Sequence, residues 1–210
     1  MVRNARVTPK RRGRPPSYDY QSVLGAAMRA FWDKGFTATT ITDLEKATGV
    51  DRSTLYYSFG GKDGLYQQAA ATYVDMADQH LFARLSGGNE GITDIVSFLE
   101  TLGTELASDE SPQGCLIVND LACPADRTAT DRYLQLLEQS IGSALARSAA
   151  AGETDPTKAN QRTQLLSAAV IGINLIGRTD SSNELTRALV GGATDELESW
   201  SLSDRSSLSG

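Results

Sequence analysis

Between Asp19 and Gly61, glycines and capping residues cut the chain into three short helical stretches joined by tight turns. This punctuation constrains the fold more than any other feature. A helical pattern begins at Asp19, sets Val23, Ala27, Ala30 and Phe31 on one stripe and stops at Gly35. Thr40-Ile41-Thr42-Asp43 has the spacing of a capping box and opens a second helix. Leu44 and Ala47 of that helix are expected to face inward, and Gly49 ends it. Asp51 suits the N-cap of a third helix, roughly Arg52 to Phe59, before Gly60-Gly61 breaks the chain again. Val50 and Leu55 are expected to join Leu24, Phe31, Ile41 and Leu44 in a small core, with Ala47 small enough for two helices to cross closely.

A longer helix is expected from Lys62 to Leu85, with Leu65, Ala69, Tyr73 and Ala77 at helical spacing. Further helices are expected near 91–107, 114–123, 126–150, 157–178 and 183–199, punctuated by Pro112, Pro124, Gly152 and Pro156. The last ten residues are polar and are expected to fray. No strand pattern and no repeat of solenoid length stands out, so the fold class is all-α.

Charge divides along the chain. Residues 1–62 hold eleven Lys/Arg against five Asp/Glu, a balance of +6 within a total of −6, which leaves −12 on residues 63–210. Six of those cations lie in residues 1–17, with three prolines and no acid, a stretch expected to be disordered when free. A positive head on a negative body points to a polyanion as the head's partner; the alternative is a basic tail on an ordinary acidic protein. With 40% hydrophobic residues the chain can bury a real core. No apolar stretch reaches the roughly 18 residues of a membrane span, since the longest, Ala168 to Gly177, is interrupted by Gly172 and Asn174. The basic N-terminus lacks the apolar region of a secretory signal. Two cysteines and one histidine cannot build a disulfide framework or a His-rich metal site, so a reduced, cytoplasmic chain without metal or cofactor is expected.

The two short helices joined by Gly49-Val50-Asp51 have the layout of a helix-turn-helix. The outer side of the second would present Arg52, Ser53, Thr54, Tyr56 and Tyr57, a set of donors and amphipathic rings suited to a major groove. Its N-terminal dipole would also favour a nearby phosphate. Ala27-x-x-x-Phe31, Lys34-Gly35-Phe36, Thr39-Thr40-Ile41-x-Asp43-Leu44, Ala47-Thr48-Gly49-Val50, Ser53-Thr54-Leu55-Tyr56-Tyr57-x-Phe59 and Lys62-x-x-Leu65-Tyr66 follow in order. Across residues 23–66 the chain thereby resembles the DNA-binding domain of the tetracycline-repressor (TetR) family of bacterial transcription regulators. Glu45 departs from the pattern, where a small apolar residue is frequent, and Ser58-Phe59-Gly60-Gly61 replaces the more usual His-Phe-x-Ser-Lys. Ser58 is thus expected to lack a phosphate contact that the family often makes there.

The resemblance implies an all-helical homodimer. Its parts would be a basic arm over 1–17, a three-helix DNA-binding domain over 18–62, a larger ligand-sensing and dimerisation domain over 63–200 and a flexible tail over 201–210. Carried over by position, Arg52, Ser53, Thr54 and Tyr56 are the candidates for base edges, with Arg52 able to read guanine bidentately. Thr40, Thr42, Tyr57 and Lys62 are the candidates for phosphate. Against this, either tyrosine ring would instead pack in the core, and Lys62 would be a solvated lysine. Arg12-Gly13-Arg14-Pro15 suits an A·T-rich minor groove, or serves as a non-specific electrostatic tail.

The body is less explicit. Gly114-Cys115-Leu116-Ile117-Val118-Asn119 resembles a cavity-lining segment of one subgroup of the family. Candidate pocket walls are Phe98, Leu102, Leu106, Cys115, Val118, Asn119, Tyr133, Leu137, Ile171 and Asn174, the two asparagines being polar groups in apolar runs. The competing reading is core packing, with the asparagines as satisfied structural amides. Cys115 and Cys123 read as inert thiols, and His80 as a surface residue. Small residues on the last long helices (Ser143, Ala144 and Ala146; Ala168, Ala169, Gly172 and Ile176) suit a four-helix homodimer interface, or packing within one subunit.

The implied function is a ligand-responsive regulator, a repressor that holds a palindromic double-stranded operator until a small, mostly apolar effector releases it. The alternative is an architectural DNA-binding protein without ligand control, which the large acidic body argues against. No phosphate loop, metal cluster or Ser/His/Asp set supports an enzyme.

Overall fold

Side-chain caps start the three short helices. Asp19 accepts from the Ser22 amide and opens α1 (Tyr20–Lys34); Thr40 and Asp43 form a reciprocal capping box at α2 (Ile41–Thr48); Asp51 accepts from the Thr54 amide and opens α3 (Arg52–Phe59). Gly49 closes α2 in the left-handed region, at φ 72°, where a side chain would be strained. The computed structural model describes residues 18–108, 112–122 and 125–208, with side chains to Ser201. The basic arm, with Arg12 and Arg14, and Cys123 lie outside the described residues.

Every element is helical, with no strand among the described residues. After α3 come α4 (Gly61–Ala77), a π-helical turn (Asp78–Phe82) and α5 (Ala83–Gly87), which run on as one rod; the expected long helix is thus a helix with a π turn inside it. The rest are α6 (Ile92–Leu106), α7 (Leu116–Asn119), α8 (Arg127–Ala150), α9 (Ala159–Gly177) and α10 (Glu184–Leu208). Two lengths differ from expectation. The stretch 114–123 supplies only the single turn of α7, and α10 continues helically through most of the stretch expected to be a tail.

The head buries Val23, Leu24, Ala27, Phe31, Leu44, Leu55 and Phe59, with Ile41 and Val50 half-buried against them. Ala47 does not face inward; it is exposed. The inner face of α2 is set by Ile41, Leu44 and Thr48, and at 3.6 residues per turn Ala47 sits about 100° from its centre. α4 joins head to body. Its buried Leu65, Tyr66, Ala69, Ala70 and Val74 serve contacts with α1 and α3 on one side and α8 on the other. In the body, α8 buries Tyr133, Leu137, Ile141, Ala144 and Leu145, and Arg147 clamps the end of α5 and the start of α6 through the Leu85 and Ser86 carbonyls and Asp94. Ala144 therefore packs within its own subunit, while Ser143, Ala146 and Ala168 are exposed. No helix of the described residues is long and apolar enough to cross a membrane.

Candidate nucleic-acid interface

The outer face of α3 is free of the subunit. Arg52, Ser53, Tyr56 and Tyr57 are exposed, Tyr57 at 94% and Tyr56 at 55%, and Thr54 is half-buried. Neither tyrosine enters the core; that role falls to Leu55 and Phe59 on the opposite face. Phe59 is held under a clasp of Tyr20, ring centroids 5.0 Å apart, and Tyr18, at 6.2 Å, both ahead of the helix-turn-helix. Behind α3 the chain turns through Gly60 and Gly61. Gly61 has φ 79°, and a Cβ there would lie 2.8 Å from the Tyr56 ring, so the glycine leaves room for the ring to lie back against the turn.

The start of α3 is more heavily fastened than its sequence suggests. Asp51 accepts from the Thr54 amide and the Ser53 hydroxyl, both at 2.7 Å, and these bonds hold its carboxyl below the ordinary aspartate range. Glu45, from α2, accepts from the Arg52 amide at 2.8 Å. The residue that departs from the common pattern thus spans the turn and ties the two helices together. It also occupies the helix N-terminus where a phosphate was expected to find favour. Asp43 plays the matching part at α2. Lys34, at 2.7 Å, does most to hold its carboxyl well below the usual range, and the Thr40 hydroxyl and amide add to that.

The four phosphate candidates therefore stand differently. Thr42 and Tyr57 are exposed. The Thr40 hydroxyl donates to Asp43 at 2.6 Å and accepts from the Asp43 amide at 3.1 Å, so it is engaged inside the subunit. The Lys62 ammonium lies 4.3 Å from the centre of the Phe36 ring and 3.4 Å from the Thr37 carbonyl, which parks it beside the loop before α2.

Of the candidate pocket walls, Phe98, Leu102, Leu106, Cys115, Val118, Tyr133, Leu137 and Asn174 are buried, and Asn119 and Ile171 are half-buried. Cys115 lies against the Tyr73 and Tyr133 hydroxyls, whose ionisation burial pushes up. Asn174 donates to the Val170 carbonyl one turn back at 2.9 Å, and Asn119 to the Gln113 carbonyl at 3.1 Å, while the Asn119 side-chain oxygen is buried without a hydrogen-bond partner. Phe98 is the candidate that lines a pocket of about 260 Å³ between the π turn and α6, together with His80, Leu81, Arg84, Leu85 and Ser97. Leu137 and Ile171 line a shallow groove between α8 and α9. His80 and Arg84 were not marked by any sequence pattern; the π turn that brings His80 to this wall leaves no local signature. Among the described residues no group of His, Cys, Asp or Glu is placed to hold a metal ion.

Long-range hydrogen bonds fix the head on the body. Trp32 Nε1 donates to the Gly114 carbonyl at 3.1 Å, and Asp120 accepts from the Phe36 amide at 3.2 Å and the Tyr66 hydroxyl at 3.0 Å.

Comparison with known proteins agrees with this geometry. Residues 23–69 match the model described as bacterial regulatory proteins, tetR family. The chain is 27% identical over 193 residues to the HTH-type transcriptional repressor ComR of Escherichia coli K12, covering 87% of this chain and 90% of that protein. It is 24% identical over 186 residues to the repressor BdcR of the same strain, covering 86% and 91%. Among solved structures, the TetR family regulator CifR, a cysteine mutant in complex with a 26-bp operator duplex, superimposes with a TM-score of 0.77 at 23% identity, over 90% of this chain and all of that one.

Proposed function

The chain belongs to the tetR family of bacterial regulatory proteins and is a DNA-binding transcription regulator, and from that premise we propose that it is a homodimeric repressor released from a near-palindromic operator by a small effector. The observation that carries the reading is the exposed face of α3, with Arg52, Ser53, Tyr56 and Tyr57 outward and both helix starts locked by caps. Arg52, Ser53, Thr54 and Tyr56 meet base edges; Thr42, Tyr57 and, after leaving Phe36, Lys62 meet phosphates, with Thr40 at the same edge. Arg12 and Arg14 follow the adjoining minor groove. Two relatives are repressors by name, which supports the sign of regulation, and one structural neighbour holds operator DNA, which supports the duplex as partner.

The head is the domain of residues 18–62 and the body that of 63–200. The homodimer forms through α9 and α10, one helix further along than the α8 and α9 that carry the small residues marked in the sequence. Leu165 and Leu175, exposed at 56% and 52%, flank the small Ala168 and Gly172 on α9, and Leu185 and Leu189 add apolar surface on α10. The effector enters the pocket between the π turn and α6, where Leu81, Leu85 and Phe98 supply apolar walls and His80, Arg84, Asp94 and Glu105 polar ones. π turns are frequent at functional sites. This one lies on the rod whose other end begins at Gly61, under Tyr56, about 25 Å away along the seventeen residues of α4. A ligand that shifts the π turn tilts this rod and respaces the heads away from the 34–36 Å or so of successive major grooves.

The test is a mobility-shift titration against a duplex selected from a random pool, followed by a compound screen for thermal stabilisation and operator release. Selection of a near-palindrome, weakened by Arg52→Ala at one base pair, supports the reading. Failure to select any sequence overturns it; selection without release by any stabilising compound favours the architectural alternative.

A further inference from the structure

Carboxylates of the chain itself cap the start of both helices in the helix-turn-helix. At α2, Asp43 accepts from the Thr40 amide at 2.9 Å. At α3, Asp51 accepts from the Thr54 amide at 2.7 Å, and Glu45 reaches across the turn to the Arg52 amide at 2.8 Å. Helix N-terminal amides are where a phosphate oxygen binds most readily. A carboxylate in that place fills the donor and adds a negative charge facing any incoming anion.

The charge count points the same way. Residues 18–62 hold five Lys/Arg (Arg29, Lys34, Lys46, Arg52, Lys62) and five Asp/Glu (Asp19, Asp33, Asp43, Glu45, Asp51), so the folded head is neutral. The whole positive excess of residues 1–62 resides in residues 1–17. Non-specific attraction to a duplex is almost entirely phosphate electrostatics. The head contributes little of it, and what α3 brings to DNA is its side chains.

We propose that Glu45 is a specificity-determining residue of the DNA-reading surface. By holding the Arg52 amide it closes the leading end of α3 to phosphate and fixes that helix against α2. The head then engages through Arg52, Ser53 and Tyr56 in the groove and binds unrelated duplex weakly. This rests on α3 being the groove-reading helix. Removing the Glu45 charge strengthens attraction to every phosphate backbone alike. It also loosens the turn that sets the Arg52 side chain, so affinity for random DNA rises more than affinity for the operator.

The experiment compares wild type, Glu45→Ala and Glu45→Gln on a selected operator duplex and on a scrambled duplex of equal length, across a salt series. Glu45→Ala is expected to bind scrambled DNA about five- to tenfold more tightly at low salt and to lose a similar factor in operator-to-scrambled ratio, and the gain on scrambled DNA is expected to shrink as salt rises, because loss of a repelling charge acts through screened electrostatics. Glu45→Gln keeps an oxygen for the Arg52 amide and is expected to match the gain on scrambled DNA while keeping more of the ratio. An unchanged ratio in folded Glu45→Ala, or equal loss of binding to both duplexes, overturns the role of Glu45 and leaves α3 as the reading helix. Failure of wild type to select any duplex overturns that reading itself. Should Glu45→Ala not fold, Glu45→Gln decides alone: an unchanged affinity for scrambled DNA overturns the proposal.

Discussion

The Asp120 carboxylate accepts the Phe36 backbone amide at 3.2 Å, and through that bond the residue that ends α7 holds the loop between α1 and α2. The same carboxylate takes the Tyr66 hydroxyl at 3.0 Å, and Tyr66 packs edge-on to Phe31 and Phe36. One side chain of the body thus secures the aromatic centre of the head. Asp120→Ala leaves two part-buried donors without a partner and is expected to cost about 1–3 kcal/mol. Chemical denaturation gives the cost, and amide exchange locates it: the Phe36 amide should lose protection while Leu44, bonded within α2, should not.

Tyr57 contributes almost nothing to folding. At 94% exposure, its replacement by alanine is expected to change stability by less than about 0.5 kcal/mol. If its hydroxyl meets a phosphate as proposed, operator affinity falls about tenfold or more in Tyr57→Ala and in Tyr57→Phe alike. Thermal melts and anisotropy titrations on the same samples separate the two effects, and equal affinity in all three proteins would remove Tyr57 from the interface.

Gly61→Ala tests the turn behind α3. Alanine at φ 79° costs about 1–2 kcal/mol, and its Cβ would meet the Tyr56 ring at 2.8 Å. For a chain of this size the melting temperature is expected to drop by roughly 2–8 °C. Tyr56 must also swing away, so operator binding should weaken even at temperatures where the variant is fully folded.

Acid should act on the caps. Asp43 and Asp51 are both held below the ordinary carboxylate range, Asp43 chiefly by Lys34 and Asp51 chiefly by the Ser53 hydroxyl. A carboxyl depressed in the folded state contributes stability that is fully present above its unfolded value, about pH 4, and is lost as pH falls through the lower, folded value. Helical signal and melting temperature of the wild type should therefore decline below about pH 4. Asp43→Asn, less stable at pH 7, should show a shallower decline over that interval.

The apolar leucines of α9 test assembly. Leu165→Glu with Leu175→Glu places charge on two exposed side chains and is expected to yield a monomer in sedimentation velocity, with helical content retained. A dimer of unchanged affinity would move the interface elsewhere.

The local devices of the head were legible in the sequence because each is short in range. The Thr40–Asp43 box, the Asp51 cap and the glycine stops need only residues two to four apart, and their geometry follows from helix ends alone. The outward face of α3 followed from the inward places of Leu55 and Phe59. Ala47 lies outward, against expectation, because an alanine does not mark which side of a short helix is buried. Glu45 was visible as a departure but not as a cap, since an acid seven residues from its partner reads equally well as a solvated side chain.

Sequence alone therefore determined the helical class, the three-helix head, its resemblance to a family and the outward face of α3. These rest on periodicity, caps and steric rules that act within a turn or two. Only the tertiary structure decided that Asp120 and Gly114 grip the head across 84 and 82 residues, that a π turn interrupts the rod from head to body, and that Phe98, buried like Leu102 and Tyr133, also lines a pocket beside that turn. An apolar pattern requires that a face be covered; what covers it, and where a gap is left, depends on how separate helices meet.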